Sequence, residues 1–397
     1  MKQVKDWDVA LRVIDKIEKA GFEAVIVGGA VRDHLLQREI HDVDVATSAL
    51  PMEIKKIFSN TVDVGIEHGT VVVLDEGKPI EVTTYRTDGT YTDFRRPEEV
   101  TFVRDLPKDL ERRDFTINAM AYTKDGTIID LFGGKEDIEN RIIRAVGDAN
   151  SRFREDALRM LRAVRFAAQL GFDIDELTMK AIQKDCDLIE FIARERIHME
   201  FSKMWVADYV YFGVKALVDS DLALYLPGNF RENLEAWKEF HTKQEEVGWA
   251  YLCLLNRNDI ENIIDFYKLS NKEKNFTKKV IQAYDSLLKR WDEYDYFSND
   301  LIILETAYDF ATWQGKNVPF EKERIAKVKE HLPIQSMEQF ALNGNLLMEW
   351  SGLKGGPWLK EALNKALYAV LSGRVKNDEE HLKEWFHNEF IDERQNH

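Results

Sequence analysis

The sequence predicts an α+β head followed by an extended all-helical arm. Short apolar runs alternate with helical spacings up to about residue 140. Beyond that point strand patterns cease, and helical periodicity dominates to the end of the 397-residue chain. That length suits roughly two to four domains, each with its own core.

Within the head, Val9–Ala20 has helical apolar spacing (Leu11, Ile14, Ile17) and stops at Gly21. Ala24-Val25-Ile26-Val27 reads as a buried strand, and Ala30–Leu36 as a helix. Pro51 opens a short helix after Thr47-Ser48. Strands are expected at Val62–Val64, Thr70–Leu74 and Pro79–Tyr85, then a polar loop from about Arg86 to Pro97. A helix over Leu110–Tyr122 and a strand over Thr127–Leu131 complete the unit, closed by Asp130-Leu131-Phe132-Gly133-Gly134. In the arm, Ala149–Leu170 reads as one long helix stopped by Gly171, and another starts near Glu176. Breaks near Pro227-Gly228, Ser270-Asn271, Pro333 and Gly352–Pro357 divide the remaining helices.

The most specific chemistry lies in residues 28–44. Gly28-Gly29-Ala30-Val31-Arg32-Asp33 is a strand–turn–helix junction whose free N–H groups can bind anions. Glycine allows close backbone approach, and Arg32 can pair bidentately with phosphate oxygens. Asp42-Val43-Asp44 follows in strand alternation, so both carboxylates share one face, at a spacing suited to Mg²⁺. A glycine turn for phosphates followed by a carboxylate pair for a metal points to nucleotide transfer from a nucleoside triphosphate. Glu81 alternates with apolar residues on its strand; it is a third metal ligand, the base for an attacking hydroxyl, or an edge-strand surface residue.

Two further stretches bear on substrate. In Arg112-Arg113-Asp114-Phe115-Thr116-Ile117-Asn118, read as helical, adjacent arginines point about 100° apart, so one can bind triphosphate or ribose while the other pairs with an acid. In Glu155–Phe166, Leu158, Leu161 and Val164 form a buried stripe, and Asp156 and Arg159 are neighbours at i,i+3. That pair is either a surface ion pair worth tenths of a kcal/mol or a reader of Watson–Crick edges. Asp accepts from the exocyclic amino group of C or A, and Arg donates to N3 of C or N1 of A. G and U present a carbonyl and an N–H there, so both contacts become repulsive.

The formal net charge of −16 argues against a nucleic-acid partner. Residues 141–165, however, hold seven Arg against three acids, so a basic cleft in an acidic chain is expected. Cys186 and Cys253 are too few for a disulfide framework or zinc site. No apolar signal core opens the sequence and no run approaches membrane-spanning length, so the expected location is cytoplasmic.

These motifs, in this order, resemble those of the class II CCA-adding tRNA nucleotidyltransferases: Val-Gly-Gly-Ala-Val-Arg-Asp with Asp-Val-Asp, Arg-Arg-Asp-Phe-Thr-Ile-Asn-Ala, Asp-Leu-Phe-Gly-Gly, and Arg-Glu-Asp-Ala-Leu-Arg-Met-Leu-Arg-Ala-Val-Arg-Phe. Glu195-Arg196…Glu200 resembles the family's further neck motif. Leu342-Asn343-Gly344…Gly355-Gly356-Pro357-Trp358 is similar to the tail of Bacillus-type members. The resemblance implies a polymerase-β-like nucleotidyltransferase head over residues 1–140, a helical neck over 141–210 carrying the base template, a body over 211–305 and a tRNA-binding tail over 306–397. It implies that Asp42 and Asp44 hold the catalytic Mg²⁺ ions, with Glu81 beside them. Gly29 and Arg32 would hold the triphosphate. Arg113, Asp156, Arg159, Arg162 and Arg165 would line the nucleotide pocket, with Asp156 and Arg159 reading the base.

The implied partners are CTP, ATP and the acceptor stem and upper arm of tRNA, recognised by shape and backbone; no membrane partner is expected, and a homodimer is left open. Residues 88–96 resemble the flexible loop with which members switch from C to A addition. Bacterial poly(A) polymerases, which share the head and neck motifs almost verbatim, and A-only adders, which the loop does not exclude, are the alternative enzymes; an inactive tRNA-binding module is the alternative outside catalysis.

Overall fold

The computed structural model describes residues 4–40, 42–88 and 100–391. The chain forms two compact units: Met1–Glu245 with Asn258–Lys268, and Glu246–Arg257 with Leu269–His397.

The first unit opens with α1 (Val4–Lys19), whose buried Val9, Ala10, Val13, Ile14 and Ile17 follow the 3.6-residue period. Then come β1 (Ala24–Val27), α2 (Gly29–Leu35), β2 (Asp44–Thr47), α3 (Pro51–Ile57), β3 (Thr61–Gly65), β4 (Thr70–Asp75) and β5 (Lys78–Thr84). The hairpin β6 (Arg86–Asp88) and β7 (Val100–Phe102) leads to α4 (Leu106–Glu111), β8 (Met120–Tyr122), β9 (Ile128–Asp130) and α5 (Gly134–Glu139). Seven strands form one sheet in the order β3-β4-β5-β2-β1-β8-β9. The β2–β5 pairing is parallel; the others are antiparallel.

Strand register decides what shares a face. Asp44 pairs with Val27 on one side and Glu81 on the other, and paired residues point the same way. The face of Val27, Ala46 and Ala121 is covered by Leu106 and Leu110 of α4. The two carboxylates therefore stand at the uncovered end of the face on which α4 packs.

Two expectations fail here. No helix spans Leu110–Tyr122: α4 ends at Glu111, Phe115 is extended and bridges Ala145, and Met120–Tyr122 is a strand between β1 and β9. Pairing with two neighbours overrides the local helical reading. Nor is Ala149–Leu170 one helix: α6 (Ala149–Glu155) and α7 (Leu158–Leu170) are separated at Asp156, whose φ of −142° and ψ of 102° are extended. The arm also has a minimal parallel pair, β10 (Ile142–Ile143) with β11 (Asp173–Ile174).

Three helices follow in this unit, α8 (Glu176–Asp185), α9 (Arg194–Trp205) and α10 (Val210–Asp219). After α11 (Glu245–Leu255), α12 (Ile260–Phe266) again belongs to the first unit. Their aromatic core stacks Trp205 on Trp237 at 4.8 Å and sets Phe201 against Phe230 and Tyr267.

The second unit is helical: α13 (Asn271–Leu287), α14 (Glu293–Ser298), α15 (Leu301–Trp313), α16 (Glu323–Glu330), α17 (Gly344–Ser351), α18 (Trp358–Leu371) and α19 (Glu379–Trp385). Ser270 and Glu273 form a reciprocal capping box at the start of α13, where the sequence break was expected. Tyr251 packs on Phe310 and Trp313 in its core. Among the described residues no helix is long and apolar enough to cross a membrane.

Candidate active site

Asp42 and Asp44 are exposed, with Val43 and Val45 buried between and behind them. Glu81, also exposed, is the register partner of Asp44. Asp44 is exposed by residue, yet the protein around it partly desolvates its carboxyl. That desolvation, with the negative charges of Glu81 and Asp42, raises its carboxyl above the ordinary value; Arg113 acts in the opposite sense. A site where acids repel one another is one a divalent cation would stabilise. Among the described residues no three acidic, His or Cys side chains are already gathered as a ligand cage. Exposed carboxylates such as these can share a divalent cation with water and substrate phosphates.

Next to this pair the chain turns at Gly28, with φ 74° and ψ −138°. A Cβ at Gly28 would lie 3.2 Å from Arg113 Nη1, so the turn is open only because the residue is glycine. Gly29 is the first residue of α2 and lies against the Arg32 guanidinium. Arg32 is buried and already engaged: it donates to Asp33 at 2.9 and 3.0 Å and to Asn118 at 2.8 Å. Sequence reasoning treated it as free for phosphate; here a phosphate must compete with Asp33.

Arg112 and Arg113 were expected to diverge on a helix. Instead they follow α4 and both fold back onto one carboxylate. Asp109, 1 % exposed, accepts from Arg112 Nε at 3.1 Å and Nη2 at 2.9 Å, and from Arg113 Nη2 at 3.0 Å. Burial pushes the Asp109 carboxyl up, but the two guanidinium groups outweigh it and hold it below the usual carboxylate range.

On the arginine helix α7, Leu158, Leu161 and Val164 are buried as expected. The expected i,i+3 side-chain pair of Asp156 with Arg159 does not form among the described residues, although the Arg159 N–H donates to the Asp156 carbonyl at 2.9 Å. Asp156, at the helix break, accepts from the Leu158 N–H at 3.1 Å and from Arg196 on α9 at 2.7 and 3.2 Å. Arg159 donates to Glu155 at 2.6 Å, to the Arg152 carbonyl at 3.2 Å and to the Arg112 carbonyl at 3.0 Å. The break at Asp156 removes the helical geometry that would have paired the two. Arg162 forks onto Asp114 at 2.8 and 2.6 Å. Burial alone would raise Asp114, but Arg162 and the Asn118 amide hold it well below the usual carboxylate range. Arg165 is buried on Glu200 and Gln169. Arg32, Arg162 and Arg165 all lie over the Phe166 ring, at 5.2, 5.4 and 4.1 Å from its centroid.

The structure thus joins the two halves of the site. The Arg32–Asn118–Asp114–Arg162 chain ties the glycine turn to α7, and Asp109–Arg112–Arg159 ties α4 to it. Asp109, Glu155 and Arg196 were missed as partners. Glu155 and Arg196 stood inside quoted motifs, and Asp109 stood at i,i+3 and i,i+4 spacing to Arg112 and Arg113, the signal that could have found it. The segment resembling a flexible loop lies, beyond Asp88, outside the described residues.

Acids on adjacent strands, a glycine turn and an arginine wall are the arrangement of a nucleotidyl-transfer enzyme. Family models for the poly A polymerase head domain, a probable RNA and SrmB-binding site of polymerase A, and the putative domain 2 of tRNA nucleotidyltransferase match residues 24–144, 171–229 and 240–386. The CCA-adding enzyme of Geobacillus kaustophilus is 43% identical over 390 residues, 96% of each chain. That of Ligilactobacillus salivarius is 44% identical over 392 residues, again 96% of each. The crystal structure of the Bacillus stearothermophilus CCA-adding enzyme in complex with CTP superposes with a TM-score of 0.89, at 38% identity, covering 99% of this chain and 100% of that one. The chain belongs to the family of CCA-adding enzymes.

Proposed function

We propose that the protein builds the 3′-terminal CCA of tRNA from CTP and ATP, releasing pyrophosphate and using no nucleic-acid template. The observation that carries this reading is the full-length likeness to CCA-adding enzymes, one of them crystallised with CTP.

The residues divide the work as follows. Asp42 and Asp44 would hold Mg²⁺, which when bound supplies positive charge at the reacting phosphate and a lowered pKa at the attacking hydroxyl. Glu81, fixed beside Asp44, takes the hydroxyl proton or completes the acidic set. Arg113 faces the charge that develops next to Asp44. Gly29 and Arg32 receive the triphosphate.

Base choice falls to Asp156 and Arg159. A carboxylate has about four lone-pair sites, so Asp156 can hold Arg196 and still accept an exocyclic amino group. Arg159 has five N–H donors; its contacts to Glu155, Arg152 and Arg112 leave Nε–H and one Nη2–H uncommitted among the described residues. Two donors are enough for N3 of C or N1 of A. Arg162, paired with Asp114, and Arg165, paired with Glu200 and Gln169, complete the nucleotide pocket. Residues 1–140 serve as head, 141–210 as neck, 211–305 as body and 306–397 as tail, the last two holding tRNA, in the cytoplasm.

The test is incubation with a tRNA lacking its terminal triplet, CTP, ATP and Mg²⁺. Three nucleotides, C, C and A, are expected, and then arrest. A long A tail would transfer the protein to the poly(A) polymerases; A added only to a CC end would make it an A-adder.

A further inference from the structure

Asp109 carries no role in the reading above, yet three parts of the site meet on it. Arg113, whose charge acts on Asp44 and whose Nη1 borders the Gly28 turn, hangs from Asp109 Oδ2. Arg112 is held by Oδ1 through both Nε and Nη2, which orients its backbone carbonyl, the acceptor for Arg159 Nη2 at 3.0 Å. The Arg86 N–H, at the root of the β6–β7 hairpin, also reaches Oδ1, at 3.4 Å. At 1 % exposure the carboxylate is out of reach of substrate. A buried charge with two cationic partners persists only while it is paired, and removing one member leaves the others misplaced.

We infer that Asp109 is a positioning residue that sets the arginine beside the catalytic acids and the arginine that reads the base in one common frame. Its loss would slow chemistry and blur base choice together, because Arg113 and the Arg112 carbonyl move as a pair. This rests on the nucleotidyl-transfer reading and adds to it a coupling between rate and fidelity.

The test is Asp109→Asn, with incorporation measured on tRNA ending before the triplet for each of the four nucleotides. A fall in kcat of about tenfold is expected with CTP, with KM changed less than about threefold. UTP misincorporation should rise about fivefold or more relative to CTP. Asp109→Glu, which keeps the charge, should recover most of both losses. In an Arg113→Ala background, Asp109→Asn should add less than about twofold to the loss of kcat. A folded Asp109→Asn protein with rate and base choice within about twofold of the parent would overturn the inference. So would full additivity with Arg113→Ala. So would loss of the folded far-UV spectrum in both Asp109 variants, which would make the residue a stability anchor only. Failure of the parent protein itself to add C would instead sink the CCA reading.

Discussion

Asp44 and Glu81 are register partners on the parallel strands β2 and β5, so the backbone ladder, and no side-chain contact, fixes the spacing of their carboxylates. Their repulsion, added to desolvation, keeps the Asp44 carboxyl above its ordinary value of 3.8. Binding a cation needs Asp44 ionised. Proton and cation compete for Asp44, so single-turnover incorporation at Mg²⁺ well below saturation should fall on acidification, and added Mg²⁺ should recover it. Glu81→Gln removes one negative neighbour and should move the acid limb to lower pH, whatever it does to the plateau. An acid limb that stays put would show that Glu81 does not act on Asp44.

Arg159→Ala removes the fork that completes the base-reading wall. Discrimination between C and U on the first addition should fall by about 10-fold or more, the value of one good bidentate contact at roughly 1–3 kcal/mol. Arg159→Lys should rescue little, since a point charge does not reproduce the planar fork. Competition assays with paired nucleotides read this out, and unchanged ratios would remove Arg159 from base selection.

Gly28 occupies a backbone conformation that L residues rarely adopt, and its missing Cβ leaves room for Arg113. Gly28→Ala should cost about 1–3 kcal/mol from backbone strain and displace Arg113. A lowered thermal midpoint together with a raised KM for CTP is expected. A variant as stable as the parent would mean that the turn relaxes freely.

Asp114 is held well below the usual carboxylate range in the fold, so its ionised form stabilises the native state. That contribution is fully present above the unfolded value and is lost as pH falls through the folded one. Asp114→Asn should destabilise by about 2–3 kcal/mol at neutral pH. This is below the range for breaking a fully buried pair, because Arg162 keeps Glu200 at 3.9 Å and is 32% exposed. Denaturant melts should show a constant difference between variant and parent from pH 7 to pH 5, narrowing below about pH 4. A difference that grows on acidification would reverse the assignment.

Much of this molecule is legible in one dimension. Alternation predicted the exposed–buried pattern of Asp42, Val43, Asp44 and Val45, but β2 begins only at Asp44 and leaves Asp42 before the strand. The glycine turn, most head strands, the helical character of the arm apart from the β10–β11 pair, and the buried stripe of α7 followed from local spacing. What failed were segments whose conformation is set by partners far along the chain. Met120–Tyr122 is a strand because β1 and β9 flank it. The helix breaks at Asp156 where its carboxylate takes Leu158 N–H and Arg196, forty residues on, with no glycine or proline to announce it.

Sequence alone determined which chemical groups the protein owns and their local periodicity: the acids, the glycine turn and the arginine row. Tertiary structure decided which distant cation an acid meets: Asp156 takes Arg196 and Asp114 takes Arg162, whereas Asp109 with Arg112 and Arg113, and Glu155 with Arg159, are local i,i+3 and i,i+4 pairs. The physical reason is that a buried charge takes whichever opposite charge the packing brings within hydrogen-bond reach, and packing is a property of the whole fold.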